Sequence, residues 1–100
     1  MSQVDNDTLE EIKIVTEEPG HYKVIFLNDD VTPMDFVLEV LQAVFKHDIS
    51  TSQNIMLTVH NDGSAVVGVY SFEIAEQKGI ETTMLARNNN FPLVVKIEKE

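Results

Sequence analysis

The 100 residues are enough for one domain, which at this size buries roughly two thirds of its unfolded surface, and 43% hydrophobic content is that of a globular chain. The absence of cysteine excludes disulfides, thiolate metal sites and cysteine nucleophiles, and fits a reducing compartment. A formal net charge of −10, with seven Lys and Arg scattered singly, leaves no basic face to neutralise a row of phosphates, so neither nucleic acid nor an anionic membrane is an expected partner.

The first segment is unlike the rest. Met1 to Gly20 carries Asp5, Asp7, Glu10, Glu11, Glu17 and Glu18 against Lys13 alone, half of the net charge in a fifth of the chain. It has few apolar residues, lacks the apolar stretch of a signal peptide and ends in Pro19-Gly20, so the composition predicts a flexible acidic tail over 1–20 and a folded domain over 21–100. No later stretch is long and apolar enough to span a bilayer, and the expected setting is the cytoplasm.

His21 to Leu27, rich in Tyr, Val, Ile and Phe, reads as a strand stopped by the turn-formers Asn28-Asp29-Asp30. Thr32 suits a helix N-cap, with Pro33 in the first helical position and Asp35 in the first turn. Phe36, Val37, Val40, Leu41, Val44 and Phe45 then form one apolar stripe, which predicts a helix to about His47. Ser50 and Gln53 match a capping box opening a second helix, whose apolar side carries Ile55, Met56 and Val59 with His60 one step on, and Asn61-Asp62-Gly63 ends it.

Ala65 to Tyr70 reads as a strand, and Ser71 as the cap of a third helix over Phe72 to about Asn88, with a small-residue inward line of Ala75, Gly79, Thr83 and Ala86. Gly79 costs that helix about 1 kcal/mol relative to alanine. Leu93, Val95 and Ile97 alternate with polar neighbours in a closing strand. The expected fold is α+β: a three-stranded antiparallel sheet packed against helices in the order β-α-α-β-α-β.

Chemistry-bearing patterns are few. His21, His47 and His60 have no zinc-helix spacing, no Ser sits in a nucleophile elbow, and the four glycines are too far apart for a phosphate loop, so neither enzyme chemistry nor a metal or cofactor is expected. Asn28-Asp29-Asp30 reads either as a solvated turn or as a cation site. It lacks the further oxygens and distal glutamate of a calcium loop, and a single ammonium, donating three hydrogen bonds and carrying one charge, fits it better. Met34 and Met56 read either as core or as walls of an adaptable pocket.

The blocks Tyr22-Lys23-Val24-Ile25 into Leu27-Asn28-Asp29-Asp30, then Thr32-Pro33-Met34 with Phe36-Val37, Ile55-Met56-Leu57 with Val59-His60, Gly68-Val69-Tyr70 followed by Glu73-Ile74-Ala75-Glu76 and Lys78, and Pro92-Leu93 occur in that order over His21 to Lys99. Together they resemble the ClpS family, adaptors that deliver N-end-rule substrates to Clp AAA+ unfoldases. Val31, Gly79 and Phe91 depart from the family pattern, at no ligand-contacting position.

The resemblance implies that Asn28, Asp30 and His60 contact the substrate α-ammonium, with Asp29 helping to position the turn or the substrate backbone. It implies a pocket of Thr32, Met34, Val37, Met56, Val59 and Leu93 for an N-terminal Leu, Phe, Tyr or Trp, with Met34 disfavouring β-branched Ile and Val. Glu73 and Lys78 would meet the N-terminal domain of a ClpA- or ClpC-type unfoldase, the tail would help hand the substrate over, and the adaptor would act as a monomer without cofactor or metal.

The physics asks for both halves of such a site. A free α-amino group is mostly a cation at neutral pH, and His60 would accept from it as neutral imidazole, a grip that protonation ends. Burying a Leu or Phe contributes roughly 1.5–3 kcal/mol and each charged hydrogen bond roughly 1.5–3 kcal/mol, so neither alone reaches the roughly 8 kcal/mol of a micromolar complex. Two other readings compete. A translation-factor-binding domain like the C-terminal domain of the ribosomal stalk protein has a similar layout but needs a lysine-rich exposed helix, which this acidic chain lacks. A small hydrolase would need a nucleophile or metal set that the sequence does not offer.

Overall fold

The computed structural model describes residues 20–100, so the tail expected over 1–20 lies, but for Gly20, outside the described residues. The apolar and β-branched runs form β1 (Tyr22–Leu27), β2 (Ser64–Tyr70) and β3 (Val94–Lys99), and the apolar stripes form α1 (Met34–Ala43), α2 (Ile49–Asp62) and α3 (Phe72–Asn88). The order is the expected β-α-α-β-α-β.

The sheet is antiparallel with β1 in the centre, in the order β2-β1-β3. Tyr22 stands opposite Tyr70 and Lys99, and Leu27 opposite Ser64 and Val94, so the end of β1 and the starts of β2 and β3 share one edge of the sheet. The pairing with β2 shifts between Val24 and Ile25, which leaves Val67 as an extra residue; it is buried, so the bulge restores the inward phase of the strand. Val24, Phe26, Val67 and Leu93 from the sheet side join Phe36, Val37, Val40 and Leu41 of α1, Val59 of α2, and Ala75 and Ala86 of α3 in one core.

Helix ends depart from expectation in instructive ways. Thr32 does not cap α1: Pro33 holds the cap position without a side-chain bond, because the Thr32 hydroxyl is engaged by Asp29. The apolar stripe continues to Phe45, but α1 stops at Ala43. Val44 and Phe45 remain buried while the chain turns through Lys46 at φ 60°, and the His47 amide reaches back to the Leu41 carbonyl at 3.1 Å. α2 is capped by Asp48, whose carboxylate accepts from the Thr51 amide at 2.7 Å, rather than by a Ser50–Gln53 box. That bond to Thr51 holds the Asp48 carboxyl below its usual value. On α3 the buried line is Ala75, Gly79, Thr82 and Ala86: Thr82, not Thr83, keeps the helical period, and Thr83 lies beside it half-buried.

Candidate functional site

The shared edge of the sheet gathers residues that are far apart in sequence. The Asn28 amide donates to the Gly63 carbonyl at 2.9 Å, which ties the turn after β1 to the end of α2. Gly63 sits at φ 91°, a conformation glycine adopts without the Cβ clash other residues meet, and its amide closes α2 on the Val59 carbonyl at 3.0 Å. His60 occupies the last turn of this helix. The strand register and the glycine cap together therefore set Asn28 beside His60.

Asp29 organises the turn. One carboxylate oxygen accepts from the Val31 amide at 2.8 Å and the Thr32 amide at 2.6 Å, and the other accepts from the Thr32 hydroxyl at 2.8 Å. Partial burial pushes this carboxyl upward, but the Thr32 amide and hydroxyl, the Val31 amide and the charge of Arg87 outweigh it and hold it below its usual value. Asp29 is thus an anion fixed in place by three donors.

A pocket opens at this edge, about 270 Å³ when counted to its mouth, lined by Leu27, Asn28, Asp29, Thr32, Met34, Val37, Met56, Val59, His60 and Leu93. Val37, Val59 and Leu93 are buried and make its floor, whereas Met34 is 36% exposed at the rim. The interior is narrow: only about 10 Å³ is open to the centre of a water molecule, room for roughly one water. Its lining includes a carboxylate and no Lys or Arg. A small apolar cleft with carboxylate, amide and imidazole groups at its edge suits an apolar side chain that carries an adjacent cation.

Nine of the ten residues expected at the amine site and pocket line this cleft; Asp30 does not, being exposed on the turn beside Asp29. Leu27 lines it too and was not anticipated. Its place in β1 is out of phase with the inward Val24 and Phe26, so alternation gave no signal for it.

Arg87 was also unforeseen. One guanidinium nitrogen donates to the carbonyls of Phe91 at 2.8 Å and Leu93 at 3.0 Å, so it acts on the pocket through backbone atoms that no side-chain pattern reveals.

Glu73 and Lys78 lie elsewhere. α3 begins just after Tyr70, at the far end of β2 from the pocket, and Glu73 is exposed in its first turn. Lys78 is half-buried: its ammonium donates to the Val44 carbonyl at 2.8 Å and lies 5.7 and 5.4 Å from the ring centres of Phe45 and Tyr70. His47 belongs to the same packing, with Nε2 2.6 Å from the Val67 carbonyl and its ring stacked on Phe45. Among the described residues no group of three His, Asp or Glu side chains is placed to hold a metal ion, and no helix is long and apolar enough to cross a membrane.

Fold and cleft define a class: a small α+β recognition domain with a pocket that pairs an apolar floor with an anionic and imidazole-bearing edge. Comparison with known proteins gives the family. The model of the family described as ATP-dependent Clp protease adaptor protein ClpS matches residues 17–96. ATP-dependent Clp protease adapter proteins ClpS from Sodalis glossinidius and Pectobacterium carotovorum are each 44% identical, over 90% and 98% of this chain and 85% and 92% of their own lengths. Among solved structures, Agrobacterium tumefaciens ClpS2 bound to L-phenylalaninamide is 47% identical and superposes with a TM-score of 0.79, over 83% of this chain and 100% of that one. The chain belongs to the ClpS family, and is an adapter protein rather than an enzyme.

Proposed function

We propose that this chain binds proteins through a free N-terminal Leu, Phe, Tyr or Trp and delivers them to a Clp AAA+ unfoldase for degradation. The observation that carries the reading is the juxtaposition of an apolar floor (Val37, Val59, Leu93) with Asn28, Asp29 and His60 at one small cleft. L-Phenylalaninamide, which the Agrobacterium relative holds, has the same two parts, an apolar side chain and a free α-amine. Here the Asn28 and His60 side chains accept from the ammonium, while Asp30 adds negative charge from the exposed turn. Asp29, its oxygens already occupied by Val31 and Thr32, holds the turn in shape. Met34 and Met56 are flexible side chains that move aside to admit the first residue and close on it; branching at its Cβ would meet Met34.

Delivery uses other parts of the chain. Glu73 on the exposed start of α3 meets the unfoldase N-terminal domain, with Lys78 behind it, and the acidic tail over 1–20 helps transfer the substrate. The adaptor acts as a cytoplasmic monomer. Deleting residues 2–18 should abolish delivery and leave peptide binding intact, and joint loss of both would refute that division of labour.

The decisive experiment is a binding titration with a fluorescent peptide that begins with Leu. It should bind; its N-acetylated form should bind at least about 10-fold more weakly, one lost charged hydrogen bond being enough for that factor, and its Ile-first form should bind more weakly because its branched Cβ meets Met34. Equal binding of the acetylated peptide would remove the ammonium from the reading.

A further inference from the structure

The pocket is built from two segments far apart in sequence: the turn around Asp29 and the chain entering β3 at Leu93. Arg87, on the last turn of α3, relates to both. The connection from α3 to β3 folds back over the helix end, with the Asn89 and Phe91 amides on the Ala86 carbonyl and Asn90 at φ 62°. Pro92 offers no amide, so the stretch around it is held from its carbonyl side, by the guanidinium on Phe91 and Leu93.

Phe91 in turn packs edge-on against Phe36, the neighbour of the wall residue Val37. The depth at which Leu93 closes the floor, where it is 1% exposed, follows from this stretch. The same cation acts on the Asp29 carboxylate.

We propose that Arg87 is a positioning residue for recognition: from outside the pocket it fixes the Leu93 floor through the Phe91 and Leu93 carbonyls, and thereby sets which first side chains the pocket accepts. The proposal rests on the function given above. Arginine suits the task because one terminal nitrogen of its planar, rigid guanidinium serves both carbonyls while the delocalised charge still reaches towards Asp29, whereas lysine keeps the charge without that planar group.

The test uses the full chain with Arg87→Met and Arg87→Lys. Leu-first and Ile-first peptides are titrated against each, and the Asp29 carboxyl carbon is followed by NMR through acid pH. Arg87→Met should bind the Leu-first peptide about 10-fold more weakly, the scale of one charged hydrogen bond, with a lower Leu-to-Ile ratio and an Asp29 titration moved upward.

Arg87→Lys should restore the Asp29 titration but not the ratio, a split that simple loss of stability would not produce; should Arg87→Met fail to fold, this variant decides the matter by its ratio. A wild-type Leu-to-Ile ratio in the folded variants overturns the proposal, whatever Asp29 does. If instead wild-type protein fails to distinguish the free from the acetylated amine, the functional reading falls. The positioning claim is then judged by the Leu93 and Asp29 resonances alone: unmoved in Arg87→Met they overturn the clamp, and displaced together they uphold it.

Discussion

Two concave regions flank the start of α1, and they differ in kind. The pocket measures about 270 Å³ to its mouth, and the groove between α1 and α3 about 980 Å³. The groove is lined by the apolar Phe36, Val40, Leu85 and Phe91, but its carboxylates, Asp35 and Glu39, both come from one exposed helix face. The polar groups of the pocket come from the β1–α1 turn and the end of α2, held together by the Asn28–Gly63 bond. Size favours the groove as a ligand site; convergence favours the pocket. The comparison teaches that a recognition site is marked by polar groups which the fold has been arranged to bring together, at the expense of volume.

Substitutions on either side sharpen or break this contrast. The largest effect is expected from Asp29→Ala, which strips three hydrogen bonds from the turn. At roughly 1.5–3 kcal/mol for a hydrogen bond to a carboxylate, the loss of even one from the bound state should weaken binding of the Leu-first peptide on the order of 10- to 100-fold, with a lower melting temperature, both measurable by anisotropy and circular dichroism. His60→Ala comes next: binding should fall about 10-fold, the scale of one hydrogen bond to a charged group, while the melting temperature stays put because the side chain is exposed. A matched drop in stability would make His60 structural instead.

Acid should act on the same turn. The Asp29 carboxyl titrates below its usual value when folded, so its stabilisation is fully present above the unfolded value, roughly 3.9, and is lost as pH falls through the lower folded value. Denaturant titrations at successively lower pH should therefore show a steeper loss of stability in wild type than in Asp29→Asn. The smallest effect is expected from Leu85→Ser in the groove, where Leu85 is already 38% exposed. Binding should stay within about two-fold, since a half-exposed side chain outside the contact contributes little; a ten-fold loss would mean that the peptide runs through the groove and would undo the contrast.

Much of the fold was legible because its signals are local. The stripe from Phe36 to Leu41, the glycine that closes α2 and the span of α3 from Phe72 to Asn88 each follow from neighbours within a turn or two. The caps differ from the local pattern for two reasons: the Thr32 hydroxyl bonds back to Asp29 and leaves Pro33 to start α1, and Asp48, one residue before the helix, accepts from the Thr51 amide in place of Ser50. Thr82 and Thr83 differ by 100° on a helix, and which one faces inward depends on the sheet it meets.

The pocket itself was legible only as a set of blocks resembling a family. Chemistry alone left Asn28-Asp29-Asp30 undecided between punctuation and cation site. Leu27 and Arg87 lay beyond both routes, one placed by the end of a strand and the other working through carbonyl oxygens.

The narrow interior of the pocket has a thermodynamic consequence. A cleft with room for about one water has little ordered solvent to release when an apolar side chain enters. What the newcomer gains is dispersion contact with the walls once Met34 and Met56 have moved aside. Binding of a Leu-first peptide should then be exothermic near room temperature, with a negative heat-capacity change recording the apolar surface removed from water, rather than showing the entropy-driven profile usual for transfer of a hydrocarbon out of water.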